Sequence, residues 1–235
     1  MGQRVTAGAP MPREGPPVSW AHGPAAQAVR SGLLCYVLGP IVRHYTHTRV
    51  VGLERLETVT PPVVLAANHS SHLDTPIILG SLPPDWRRKT AVVAAADYFY
   101  RNPITASVVS LAFGTVPIDR RSRRSSDSTE RLAAVLQASL NILLYPEGTR
   151  SRDGSMGLLR SGAGRLATDH GVPLVPISLT GTHEAMPPGR LWPRRHPVVL
   201  RFGTPLFPLP EEDHKRLTVR LRAALAEMRA LDEAE

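Results

Sequence analysis

The chain is expected to adopt an α/β fold, a single domain with a central mixed, mostly parallel sheet flanked by helices, preceded by an N-terminal amphipathic membrane-associating helix. Three observations predict it. Short apolar runs recur at residues 62–67, 112–118, 141–144 and 172–180, continuous enough for strands buried on both faces. A helical period lies between two of them, residues 126–139, where Leu132, Val135, Leu136 and Leu140 share one stripe, as a crossover helix requires. An uncharged apolar run near the N-terminus supplies the third.

In chain order, residues 1–19 are rich in Gly and Pro and read as a disordered leader. They lack a signal peptide's layout, because the apolar segment comes late and no small-residue cleavage site follows it. Residues 20–48 form an amphipathic, interfacial helical segment whose apolar centre Leu33-Leu34-Cys35-Tyr36-Val37-Leu38 is flanked by Arg30 and Arg43. The uncharged stretch of about 12 residues falls short of the roughly 20 that span a bilayer. Gly39-Pro40 is expected to interrupt it further. A helix in the interface, with Trp20 and Tyr36 at headgroup level, fits this pattern; a core helix packed on the sheet is the plain alternative. Residues 49–235 make the main domain. Within it, 161–169 reads as a helix, 198–202 as a strand, and 211–231 as a C-terminal helix with Leu217, Leu221, Leu225 and Met228 on one stripe.

The first strand-like run ends in Asn68-His69-Ser70-Ser71-His72-Leu73-Asp74. The Asn/Ser cluster supplies capping residues for a following helix, so His69 belongs at a strand-to-helix turn. In open α/β sheets that carboxyl edge is where ligands bind. An i, i+5 pair on one ideal helix would point in different directions, so His69 must precede the first turn and Asp74 must reach back. The pair can hold an imidazole in one tautomer, free to take a proton from a hydroxyl at neutral pH. Two other apolar runs end in an arginine-bearing segment, Asp119-Arg120 and Tyr145-Pro146-Glu147-Gly148-Thr149-Arg150-Ser151. One sheet could bring all three segments to a common rim.

Composition narrows the partners. Lys+Arg of 28 against Asp+Glu of 20 gives a formal charge of +8, which favours an anionic partner. Nucleic acid is not expected, since aromatics are few and no helix-turn-helix, zinc or base-stacking signature occurs. An anionic membrane surface fits better, each basic residue near it contributing about 1 kcal/mol. The single cysteine, Cys35, excludes an intramolecular disulfide framework and suits a reducing compartment.

Taken together and in order, four blocks resemble the glycerolipid acyltransferases typified by the 1-acyl-sn-glycerol-3-phosphate acyltransferase family. They are Asn68 to Asp74, Gly114 to Arg120, Tyr145 to Ser151, and Val172-Pro173-Leu174-Val175-Pro176-Ile177. Two departures stand out: Pro117 in the second block, and Arg160 before Ser161-Gly162 where lysine is common. The resemblance implies that residues 49–235 are an acyltransferase domain on the cytoplasmic face of the membrane, peripheral or monotopic. It would move a fatty acyl group from acyl-CoA or acyl carrier protein to the sn-2 hydroxyl of 1-acyl-glycerol-3-phosphate, a lysophosphatidate-like acceptor. It also implies that Arg120, Glu147, Gly148, Thr149 and Arg150 help bind the glycerol phosphate.

The chemistry needs little else. A thioester is already activated, so direct transfer requires mainly a base, with His69 and Asp74 as the catalytic pair and no cofactor beyond the acyl donor as co-substrate. No Gly-x-Ser-x-Gly nucleophile elbow is present, in keeping with transfer without an acyl-enzyme. Arg120 and Arg150 are the natural phosphate partners, because guanidinium can form two parallel hydrogen bonds. Gly148 would let backbone approach the ligand, and Glu147 would hydrogen-bond an acceptor hydroxyl or hold an arginine. No metal is expected: His69, His72 and Asp74 lie close, but a structural zinc site wants four ligands. His183 reads as an ordinary loop histidine, with the acyl channel as its other possible setting. Arg121, Arg123 and Arg124 are either solvated or in contact with headgroups or coenzyme A phosphates. Other readings remain: a different lysophospholipid or amino-lipid acceptor, a non-catalytic lipid-binding module, or a hydrolase in which water replaces the alcohol.

Overall fold

Seven short strands, β1 (Arg49–Val51), β2 (Val64–Ala67), β3 (Thr90–Ala95), β4 (Thr115–Ile118), β5 (Asn141–Leu144), β6 (Leu174–Thr180) and β7 (Val199–Phe202), form one sheet in the order β1-β7-β6-β2-β5-β3-β4. The structure is a computed structural model and describes residues 23–95, 110–118 and 126–234. Every neighbouring pair is parallel except β6 with β7. The sheet is therefore mixed and mostly parallel.

Parallel strands need crossovers, which place helices on both faces. On one face lie α1 (Pro24–Thr46) and α2 (Asp74–Ser81); α3 (Pro84–Arg88) leads into β3. On the other lie α4 (Ser126–Gln137), α5 (Gly162–His170) and α7 (His214–Ala234). Alternation along β2 divides the core: Val63, Leu65 and Ala67 join Ile77, Ile78 and Leu143 on the first face, while Val64 and Ala66 join Ile142, Leu166 and Leu221 on the second. Each large buried side chain contributes about 1.5–3 kcal/mol through removal from water. The C-terminal stripe Leu217, Leu221, Leu225 and Met228 is buried as its spacing predicts.

Three expectations need correction. Gly39-Pro40 does not interrupt the N-terminal helix. A wide turn over Leu33–Leu38 absorbs it, with the Gly39 amide donating to the Leu34 carbonyl five residues back. A Cβ at residue 39 would lie 2.7 Å from that oxygen, so glycine is what lets the turn close. The resulting helix of 23 residues is long and apolar enough to cross a membrane by length and composition. Arg30, expected as a polar flank, is instead 3% exposed. Its Nε donates to the Leu111 carbonyl at 3.2 Å and its Nη2 to the Ser110 carbonyl at 3.3 Å. Finally, the run 112–118 is not all strand. Residues 110–113 are helical, Gly114 turns the chain at φ 63°, and β4 starts at Thr115. Pro117 is tolerated there because β4 is an edge strand, where a missing N–H costs no ladder bond.

Candidate active site

Parallel pairing of β2 with β5 sends both chains out at one rim, the first into His69 and the second into Tyr145. Asn68 fixes the exit of β2. Its Nδ2 donates to the Leu179 carbonyl at 2.9 Å, and its Oδ1 accepts from the Leu179 amide at 2.7 Å. The chain then turns into α2. Ser71 Oγ accepts from the Leu73 amide at 3.1 Å and donates to the Met186 carbonyl at 2.8 Å, while the Ser70 and Thr182 hydroxyls are hydrogen-bonded at 2.9 Å. Ser70 and Ser71 are thus structural, but the expected capping does not occur: the N-cap of α2 is Leu73, with no side-chain cap bond, and Asp74 itself takes the Ser70 and Ser71 amides.

Asp74 is fully buried at the first turn of α2. Its Oδ2 lies 2.8 Å from His69 Nδ1 and accepts from the Ser70 and Ser71 amides at 2.8 and 2.9 Å. Its Oδ1 is buried with no hydrogen-bond partner among the described residues. With Nδ1 engaged as donor, Nε2 is the ring nitrogen left with a lone pair. The Tyr145 ring stacks on His69 with centroids 3.9 Å apart and planes 17° from parallel. Tyr145 is held in turn by a 2.7 Å hydrogen bond between its hydroxyl and that of Thr75. Burial, and then the nearby Asp74 carboxylate, raise the Tyr145 pKa well above its ordinary value, with the Thr75 bond opposing. Tyr145 therefore stays a neutral phenol.

Glu147 does something other than hold an arginine. Its Oε1 accepts from the His69 amide at 2.8 Å and its Oε2 from the Gly157 amide at 2.8 Å. A further tie runs from the Ser151 amide to the His69 carbonyl at 2.8 Å. The loop after β5 is thereby fastened to the turn after β2. Gly148, at φ 76°, has the Arg160 side chain where a Cβ would point, with Nε 3.0 Å away.

His69 opens onto a cavity of about 570 Å³. Most of its exposed wall is apolar, including Val92, Phe113, Ile118, Leu132 and Leu166, while His72, Arg160, Arg165 and Asp169 are among its polar and charged lining residues. A second hollow of about 630 Å³ is lined by Thr149, Arg150, Arg152 and again Arg160. Arg160 is the side chain shared by both. His72 keeps an exposed edge. Partial burial, then Arg150 and His69, push its pKa down to about 4, against a smaller upward pull from Asp74. No cluster of three or more His, Cys, Asp or Glu suited to a metal occurs among the described residues.

A family model described as Acyltransferase matches residues 47–180, a span that contains the whole of this rim. The chain belongs to the Acyltransferase family. Among relatives of this Acyltransferase chain, the chloroplastic 1-acyl-sn-glycerol-3-phosphate acyltransferase of Brassica napus is 35% identical over 145 residues, 60% of this chain and 40% of that protein. The corresponding chloroplastic protein of Arabidopsis thaliana is 36% identical over 143 residues, 60% of this chain and 38% of that one. The matches thus cover well under two thirds of these relatives' lengths. The crystal structure of the 1-acyl-sn-glycerophosphate acyltransferase from Thermotoga maritima superposes with a TM-score of 0.67 at 23% identity, covering 88% of this chain and 83% of that one. That likeness shows a shared fold.

The Acyltransferase rim brings His69, Asp74, Glu147, Gly148 and Arg150 together, with Thr149 exposed beside them. Arg120 and the basic run after it lie outside the described residues, as do the leader and Trp20. His183 sits on α6 (Thr182–Ala185), with Nε2 3.1 Å from the Arg152 carbonyl, and does not line the apolar cavity. Sequence reasoning missed Tyr145 and Thr75. The only signal for Tyr145 was its position directly before Pro146-Glu147.

Proposed function

We propose that this chain transfers a fatty acyl group from a thioester donor, acyl-CoA or acyl carrier protein, to the sn-2 hydroxyl of 1-acyl-glycerol-3-phosphate at an anionic membrane surface. The observation that carries the reading is the His69–Asp74 contact of 2.8 Å at the mouth of an apolar cavity. His69 Nε2 takes the hydroxyl proton as the oxygen attacks the thioester carbonyl. The tetrahedral intermediate then expels the thiolate, and the imidazolium is left to protonate it. Asp74 stabilises that imidazolium and fixes the tautomer. Tyr145 holds the ring plane. The wall from Val92 to Leu166 suits an acyl chain, and the arginines of the second hollow suit a phosphate.

The relatives' names supply the acceptor class, and the shared fold supplies the frame. His69→Ala is expected to lower acyl transfer by about 10²–10⁴-fold with folding intact. Thiol release from an acyl-CoA, measured with and without lysophosphatidate, tests the assignment. Release that needs no acceptor would instead indicate a hydrolase. Near-normal transfer by a folded His69→Ala protein would remove the mechanism.

A further inference from the structure

The loop between α6 and β7 displays two large apolar side chains to solvent, Leu191 at 95% exposure and Trp192 at 61%. Single exposed apolar residues are ordinary, but this pair is held in place. Pro187, Pro188 and Pro193 bracket it, Gly189 turns the chain at φ 91°, and the Arg190 amide donates to the Pro187 carbonyl at 3.1 Å. Arg190 Nε also donates to the Trp192 carbonyl at 2.9 Å. The tip is therefore a built projection, with little conformational freedom left to lose on binding.

Two contacts fasten it to the C-terminal end of α1. Trp192 Nε1 donates to the Tyr45 hydroxyl at 3.0 Å, and the two rings meet edge to face with centroids 6.4 Å apart. Arg195 Nη2 donates to His44 Nε2 at 3.1 Å. The indole N–H already has its partner, which lowers the cost of placing the ring in a less polar medium. Charge supplies the rest. Residues 187–199 contain Arg190, Arg194 and Arg195 and no carboxylate, and Arg43 is exposed on the adjoining end of α1.

We infer that the Leu191–Trp192 tip is a membrane-docking element, its two apolar side chains entering the interface of an anionic bilayer while the surrounding arginines meet lipid phosphates. Tryptophan favours that depth, and basic residues beside it are attracted to anionic headgroups. The same loop leaves α6, whose Thr182 is hydrogen-bonded to Ser70 of the His69 turn. The tip and the His69 turn are thus joined through α6. The inference rests on the proposed function only in taking the acceptor to be a membrane lipid.

The test is cosedimentation of the full chain with phosphatidylcholine vesicles with and without phosphatidylglycerol. Leu191→Ser with Trp192→Ser is expected to weaken binding to the anionic vesicles by about fivefold or more. Arg190→Gln with Arg195→Gln should cost about fivefold per charge and lose its effect at high salt. In a protein carrying Trp20→Phe and Trp86→Phe, fluorescence from Trp192 should shift to the blue on binding. Unchanged partition of the Leu191/Trp192 variant, or an unshifted Trp192, would overturn the inference. So would a dimer-to-monomer change in that variant without loss of vesicle binding, which would make the tip a self-association surface. Vesicle binding requires no turnover, so acyl transfer to micellar acceptor separates its failure from failure of the proposed function.

Discussion

Asp74 uses its two oxygens unequally: one accepts three hydrogen bonds and the other none among the described residues. An asparagine oxygen could still accept these three bonds, but the negative charge would be gone and an NH2 would be buried where Oδ1 has no partner. Asp74→Asn should therefore remove the charge that stabilises the His69 imidazolium and lower kcat by about 10²–10⁴-fold, measured beside a melting curve showing a folded protein. His72 gives a pH prediction. Its folded pKa of about 4 lies below the ordinary histidine value of 6.5, so folding favours the neutral ring. That contribution is present above pH 6.5 and is lost as pH falls from 6.5 through 4. Because His72 keeps an exposed edge, the loss is small. Melting temperatures across that window should fall less in His72→Gln than in the parent chain. The meeting of His69 with Asp74 was legible in the sequence, since the spacing leaves one way for them to meet. The partners of Glu147 were not. They are backbone amides 78 and 10 positions away, and nothing in residue type specifies them.

Elements carry the site only if they hold register. Glu147 links the exit of β2 to the loop after β5, so Glu147→Ala leaves the part-buried His69 amide without its carboxylate, passes the exposed Gly157 amide to water and frees His69 to shift. The expected result is a loss of about 1–3 kcal/mol in chemical denaturation together with reduced kcat. A different element tests packing. In α5, a Cβ on Gly164 would stand 2.4 Å from the His214 carbonyl, where α7 crosses. Gly164→Val should push the two helices apart at a cost of about 1–3 kcal/mol, read as a lower melting temperature. Helices α4 and α7 were readable because their apolar stripes are long and regular. Strands β1 and β3 were not. β1 has three residues, mostly exposed, and β3 is half alanine and follows Arg87-Arg88-Lys89 directly, so neither shows a clear periodic signal.

Across the whole molecule, α1 has two characters. Leu34 and Val42 are buried in the core beneath the sheet, whereas Tyr36 is 84% exposed with Val37 and Val29 open beside it. Removing residues 1–48 would therefore strip core contacts along with any membrane contact. Surface substitutions separate the two. Tyr36→Ser with Val37→Ser should reduce flotation with anionic liposomes while leaving the melting temperature within a degree or two. Unchanged flotation would mean that α1 serves packing alone.

The wide turn at Leu33–Leu38 accommodates an extra residue within one coil of α1. Winding all six of these residues regularly would add about 100° and turn everything upstream relative to everything downstream, whereas excising one residue along with the wide turn would leave the two halves nearly in register. With all six wound regularly, Ala26 and Arg30 would swing off the seats they occupy, and the carbonyls of Ser110 and Leu111 would lose their guanidinium. The azimuth of the helix's first half is thus set by how loosely one coil winds, and the same residues in a tighter coil would aim the oily side in another direction.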